Sequence, residues 1–163
     1  MTKTEIINAQ RQAVVAEAIT WINTPFHHEA AVKGAGVDCA KLLYASYTAT
    51  NMIPTFEIEH YPQDWHLHNN DERYLSYILN FAVEMPPEYV PQPGDVVIWK
   101  FARSYSHAAI VIDWPNIIHS YLNKTVNIDN IEQTKWLTWI GENTSDNGRR
   151  RPYKVFTLKS WIT

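Results

Sequence analysis

Apolar residues near the start of the chain fall on a helical period. Val15, Ala18, Ile19 and Ile22 follow the i, i+3, i+4, i+7 pattern, with Arg11, Gln12 and Glu17 at polar positions, so a helix is expected from about Thr4 to Ile22. Asn23-Thr24-Pro25 ends it. Residues 26–38 show no period, contain Gly34 and Gly36, and read as a loop. Asp38 is a good N-cap for a helix starting near Cys39, on which Leu42, Leu43, Ser46 and Tyr47 share a face. Residues 54–70, rich in Pro, His, Asn and aromatics, read as an irregular excursion. Asp71 is then expected to cap a third helix that buries Leu75, Ile78, Leu79 and Ala82.

The period changes after that helix. Pro86 to Pro93 holds four prolines and reads as an extended connector. Beyond it the alternation is that of strands: Asp95–Phe101, His107–Ile112 and Ile117–Leu122, with shorter candidates at Val126–Ile128 and Lys154–Leu158. The polar stretch Glu142–Arg151 reads as a mobile loop. Helices first and strands later argue for an α+β fold, N-terminal helices packed on a C-terminal antiparallel sheet.

Composition narrows this picture. The chain has 163 residues, 45% of them hydrophobic and 13% aromatic, which suits one domain over 1–163 with a sizeable core. Lys plus Arg number 14 and Asp plus Glu 17, a net charge of −3 that gives no electrostatic case for nucleic acid. No apolar run approaches the ~20 residues of a membrane span. Polar and acidic residues occupy the N-terminal stretch where a signal peptide would be apolar, so Sec export is not expected. The single cysteine, Cys39, excludes an intramolecular disulfide framework and a zinc ribbon.

Candidate chemistry begins at that cysteine. Free N–H groups and the dipole at a helix start favour a thiolate and can hold an oxyanion. The plainer reading of a lone Cys is a small buried hydrophobe. His107 and His119 stand in otherwise apolar strands, and a thiol nucleophile needs a base and an orienter of that base. The plainer reading again is satisfied core or edge histidines. The two readings separate on geometry. A regular two- or four-residue hairpin loop around 113–116 makes paired residue numbers sum to an odd value, which sends the two imidazoles to opposite faces. A three-residue loop at Asp113-Trp114-Pro115, or a bulge with the same effect, gives a sum of 228 and puts both on one face, within side-chain reach. His27, His28, His60, His66 and His68 read as polar loop residues, and His66-x-His68 shares a face only if extended. No metal and no cofactor are expected. Trp65, Trp99 and Trp114 are candidates to border a substrate groove.

The segments TPFHHEAAVKGAGVDCAK, PGDVVIWKFARSYSHAAIVI and IIHSYL, in that order, resemble the NlpC-type cell-wall cysteine endopeptidases, and among them the branch found near phage-tail and gene-transfer-agent genes. The resemblance spans roughly residues 15–130. It implies a papain-like α+β core with the nucleophile on a helix packed against the sheet. It implies cleavage of peptidoglycan stem peptides, commonly between D-glutamate and a diamino acid. By the same resemblance Cys39 is the nucleophile, His107 the base and His119 the third member of a Cys-His-His triad. Asp38 falls where the family contacts the substrate's amine. The implied partners are peptidoglycan stems and tail hub or tip proteins, with the enzyme made in the cytoplasm and carried in a virion or tail particle.

Two positions depart from the family pattern. Lys41 stands where Gly is usual, and Phe26 stands where a Tyr is usual, although Phe26 still falls at a substrate-binding position. If the missing hydroxyl serves the substrate or the oxyanion, its loss costs ~3 kcal/mol, or ~100-fold in rate. Two other readings compete with the endopeptidase. A structural tail-tip or hub component would show aromatic surface patches and no groove at Cys39. A thiol-dependent amidase or acyltransferase would show a narrow apolar channel beside the sulfur, where a peptidase shows an open polar groove.

Overall fold

The computed structural model describes residues 1–68, 72–140 and 148–162, the side chain of His66 excepted. Asp71 and the greater part of the polar stretch 142–151 lie outside the described residues.

Helix α1 spans Lys3–Ile19 and starts at a capping box, in which the Thr2 side chain accepts from the Glu5 amide and the Glu5 carboxylate accepts from the Thr2 amide. It ends three residues earlier than expected, so Ile19 and Ile22 are exposed rather than buried. The chain turns after Thr20 and sends the Asn23 amide to the Val126 carbonyl. A second correction concerns Arg11, expected on a polar face. Its guanidinium is buried, donating to Asp95 Oδ1 at 2.7 Å, Pro93 O at 2.9 Å and Thr157 Oγ1 at 2.9 Å. Desolvation is tolerable there because three of its five donors find acceptors, one of them a carboxylate.

The loop after α1 contains a small hairpin, β1 (Ala31–Val32) and β2 (Gly36–Val37). Helix α2 follows at Cys39–Ala49 and buries Leu42, Leu43, Ser46 and Tyr47, the expected face. Residues 54–64 are irregular, and a short helix α3 covers Trp65–His68. His66 and His68 therefore do not lie on an extended segment. Helix α4 runs Arg73–Phe81; Leu75 and Ile78 pack on the core, but Leu79 is exposed. Ala82, expected on that helix, instead opens strand β3 (Ala82–Glu84).

The remaining strands are β4 (Val96–Phe101), β5 (Ser104–Asp113), β6 (Asn116–His119), β7 (Asn127–Asn130), β8 (Trp139–Ile140), β9 (Arg149–Arg150) and β10 (Tyr153–Leu158). A short helix α5 (Lys135–Thr138) precedes β8, and a 3₁₀ turn, Lys159–Trp161, follows β10. Six strands form an antiparallel sheet in the order β3-β10-β4-β5-β6-β7. Alternation gives it two buried faces. Val96, Ile98, Ala108, Ile110 and Ile118 pack with α1 and α2. Val97, Trp99, Ala109, Val111 and Ile117 pack with Ile131 and Leu137. Trp99 belongs to that second core and Trp114 packs on it, so neither borders a groove, whereas Trp65 lines the cavity described below.

The β5–β6 connection fixes the faces of the two histidines. Asp113 pairs with Asn116 across the two-residue turn Trp114-Pro115, and a register shift follows. Val111 then pairs with Ile117 and Ile110 with Ile118, so the partner sum beyond the shift is 228. Ile112 is the bulged residue. The expected three-residue loop is thus a two-residue turn plus a bulge, with the same consequence. Continuing that register sets His119 opposite Ala109, on the face that carries His107.

Candidate active site

Cys39 is the first residue of α2, and Asp38 holds that helix end in place. Asp38 Oδ1 accepts from the Lys41 amide at 2.8 Å; Oδ2 accepts from the Glu29 amide at 2.7 Å and the Tyr61 hydroxyl at 2.6 Å. A carboxylate buried this deeply is tolerated only with such partners. Lys41 fits where glycine was expected because only its amide is required at the cap, while its ammonium lies 5.9 Å from the Tyr44 ring centre.

The Cys39 thiol donates to the Ser106 carbonyl at 3.6 Å, one residue before His107. Burial pushes the thiol up to about 12, and the Asp38 carboxylate adds to the shift. His107 moves the other way: burial holds its imidazole well below the usual histidine value, with His119 and Arg151 contributing. Both shifts favour the uncharged pair, so the site holds a thiol and a neutral imidazole rather than an ion pair.

His107 Nε2 lies 2.8 Å from His119 Nδ1, and His119 Nε2 lies 2.7 Å from Asp129 Oδ2. The hydrogen bond from His119 keeps the Asp129 carboxyl below its ordinary range. An ionised Asp129 only accepts, so His119 carries its proton on Nε2. His119 Nδ1 is then bare and accepts from His107 Nε2–H. His107 Nδ1 is left with its lone pair free, the arrangement a general base needs. Aromatic rings fix the imidazoles: Trp136 stacks on His119 at 5.9 Å, and Tyr121 meets His107 edge-on at 5.2 Å.

Cys39, Asp38, His107 and Phe26 all line one cavity of about 650 Å³. Its other walls are largely apolar, among them Leu43, Tyr44, Phe56, Ile78 and Phe81. Four of the five proposed site residues thus meet around one space, and the fifth, His119, lies buried behind His107. Sequence reasoning missed Asp129, Tyr61 and Trp136. Asp129 has a findable signal, because β7 pairs His119 with Asn127 and Asp129 lies two residues along on the same face. Tyr61 and Trp136 come from segments without a period. Among the described residues, no three His, Cys, Asp or Glu side chains are grouped to hold a metal ion. Nor is any described helix long and apolar enough to cross a membrane.

Comparison with known proteins follows this geometry. The model of the NlpC/P60 family matches residues 23–144, well over half of the chain. The NlpC/p60 domain of the peptidoglycan hydrolase SagA superposes with a TM-score of 0.56 at 17% identity, covering 89% of this chain and 97% of that one. NlpC1 from Trichomonas vaginalis gives 0.59 at 11% identity over 92% of this chain but only 44% of its own length. RipD from Mycobacterium tuberculosis, described as a non-catalytic NlpC/p60 domain protein adapted to peptidoglycan binding, gives 0.50 at 9% identity over 87% and 94%. These similarities establish the papain-like fold. Comparison with curated protein sequences returns no match.

Proposed function

The chain belongs to the NlpC/P60 family, and on that premise we propose that it is a peptidoglycan hydrolase, a cysteine endopeptidase acting on stem peptides. The observation that carries this reading is the chain His107–His119–Asp129, which leaves one nitrogen free on His107, a residue that lines the same cavity as Cys39.

In this reading the Cys39 proton leaves Ser106 O for His107 Nδ1 as the sulfur attacks the stem carbonyl. A C–S bond forms, and the C–N bond breaks as His107 returns the proton to the departing amine. Water, deprotonated by the same nitrogen, then cleaves the thioester and restores the thiol. His119 and Asp129 hold the ring and its tautomer. Asp38 uses three of its roughly four acceptor positions within the chain, which leaves one for a substrate amine. Phe26 packs against the substrate from the cavity wall. The D-glutamyl–diamino acid bond and carriage by a tail particle are supported by the sequence resemblance.

The test is incubation of the protein and its Cys39→Ala variant with peptidoglycan and soluble muropeptides, with products read by mass spectrometry. A fragment made only by the unaltered protein supports the reading and names the bond. Equal fragments from both would refute Cys39 as nucleophile.

One observation favours a second reading. The cavity beside Cys39 is walled mainly by apolar side chains, which suits an apolar acyl group better than a charged stem. A thiol-dependent amidase or acyltransferase would use the same steps on another acyl donor. A series of p-nitrophenyl esters of rising chain length separates the readings: rates climbing with length favour this one, and a flat response argues against it.

A further inference from the structure

Tyr74 is the second residue of α4, outside every motif that identified the site. Its ring lines the cavity with Cys39 and His107. Its hydroxyl oxygen is fully buried and has no hydrogen-bond partner. Such a group lowers stability unless something in the working state answers it. Ser46 and Ser104 also carry buried unpartnered hydroxyls, but neither lines this cavity. Three other tyrosines that line the cavity have spent their protons. Tyr44 donates to Phe56 O, Tyr47 to Gly94 O and Tyr61 to Asp38. Phe26 has no hydroxyl to offer.

The Tyr74 hydroxyl bears on the sulfur. Burial raises it well above the usual phenol value, and Cys39 adds to the rise; Tyr74 in turn favours a thiolate at Cys39. Yet the resting thiol donates elsewhere, to Ser106 O. A donor this close to the sulfur, with no well-formed hydrogen bond at rest, is placed to answer negative charge that appears on or beside that sulfur. Such charge appears when the sulfur adds to a carbonyl and the C=O electron pair moves onto oxygen. The Cys39 and Ala40 amides, which have no acceptor within α2, open on the same helix end.

We infer that the Tyr74 hydroxyl is an oxyanion donor of this site, hydrogen-bonding the acyl oxygen while Cys39 is bonded to the acyl carbon. Tyr74 keeps its proton throughout; the thiol proton goes to His107 Nδ1 and from there to the leaving group. When the intermediate collapses, the oxygen pair re-forms C=O and Tyr74 loses its partner again. The inference rests on Cys39 being a nucleophile, and it holds for a peptide and for an apolar acyl donor alike.

Two reagents separate the roles. N-acetylglycinal adds to Cys39 as a hemithioacetal, placing an oxygen where the oxyanion forms. Iodoacetamide alkylates the sulfur by displacement and forms no such oxygen. Both are compared on the wild-type protein and Tyr74→Phe at one alkaline pH, with Cys39→Ala as the blank and mass spectrometry as the readout. Tyr74→Phe is expected to bind the aldehyde roughly 100-fold more weakly, the usual scale for one oxyanion donor. Its alkylation should slow far less, since that reaction loses only the support Tyr74 gives the thiolate, and its melting temperature should not fall, because the hydroxyl had no well-formed hydrogen bond to lose. Unchanged aldehyde binding overturns the inference. An equal loss with both reagents also overturns it and moves Tyr74 to the sulfur. A wild-type protein that is alkylated but takes up no aldehyde sinks the nucleophile reading itself.

Discussion

His107 Nε2 meets His119 Nδ1 at 2.8 Å, and the direction of that hydrogen bond is set from outside the pair, by Asp129 at 2.7 Å from the far nitrogen of His119. Asp129→Ala removes the group that selects the His119 tautomer. The free nitrogen of His107 is then no longer assured, and kcat should fall ~10- to 100-fold, within the range of lost general-base assistance. KM should change little, since Asp129 touches no substrate. Nitrogen-15 shifts of the two imidazoles check the cause: a His119 protonated on Nε2 in wild type, and a tautomer mixture in the variant. Identical ring shifts with lost activity would mean that Asp129 serves only the fold.

The uncharged Cys39–His107 pair has its own signature. With the thiol at about 12, its reactive thiolate is scarce at neutral pH. Alkylation by iodoacetamide should therefore climb about tenfold per pH unit from about pH 6 to pH 10, following the thiolate fraction. A rate plateau on the acid side, the mark of a thiolate–imidazolium pair, would contradict the uncharged assignment. Because the His107 imidazole is held well below the ordinary histidine value, the acid limb of any hydrolytic activity should also lie below that of a free histidine.

The buried Arg11–Asp95 pair predicts a large stability effect with no effect on chemistry. Asp95 Oδ2 also accepts from the Tyr89 hydroxyl and the Gln92 amide, so three of the roughly four acceptor positions of its carboxylate are filled. Asp95→Ala strips the buried guanidinium of its counter-charge and should cost ~3–5 kcal/mol, the usual penalty for breaking a buried pair from one side. Urea unfolding reads this as a lower midpoint. The loss should be smaller in Arg11→Met/Asp95→Leu, where no charge is left buried, and a double variant as unstable as the single one would argue against that account.

Much of this molecule was legible because its signals are local. Asp38 before Cys39 and the apolar face of α2 are stated within one short segment. The shared face of His107 and His119 needed only parity, since strand side chains alternate with period 2. Arg11 was misread because a charged residue on an amphipathic helix normally faces water, and its partner lies 84 positions away. Asp129 stayed hidden because its role depends on the β6–β7 register. Tyr61 reaches the cavity from a stretch that follows no period, and Tyr74 from the first turn of α4, whose pattern gives a buried face but not what that face meets, so nothing in the sequence aims them at the sulfur.

Gly36 predicts a substitution whose rescue is specific. A Cβ built there would stand 2.5 Å from the Cβ of His27, well inside contact distance, and 3.3 Å from the Cβ of Ala30. Side-chain rotation cannot relieve the first clash, because a Cβ is fixed by its own backbone. That backbone is tied down as well: the His27 amide donates to Val37 O, and the Val37 amide to Pro25 O. Gly36→Ala should therefore cost ~1–3 kcal/mol by overpacking and push apart the strand that leads into Asp38 and Cys39. Removing the imidazole alone, in Gly36→Ala/His27→Ala, leaves the offending Cβ and should restore nothing. Gly36→Ala/His27→Gly removes it and should recover most of the unfolding midpoint, short of the flexibility that a second glycine adds to the unfolded chain. Recovery by His27→Ala would show that the contact lies with the ring, and that this loop yields more readily than its hydrogen bonds imply.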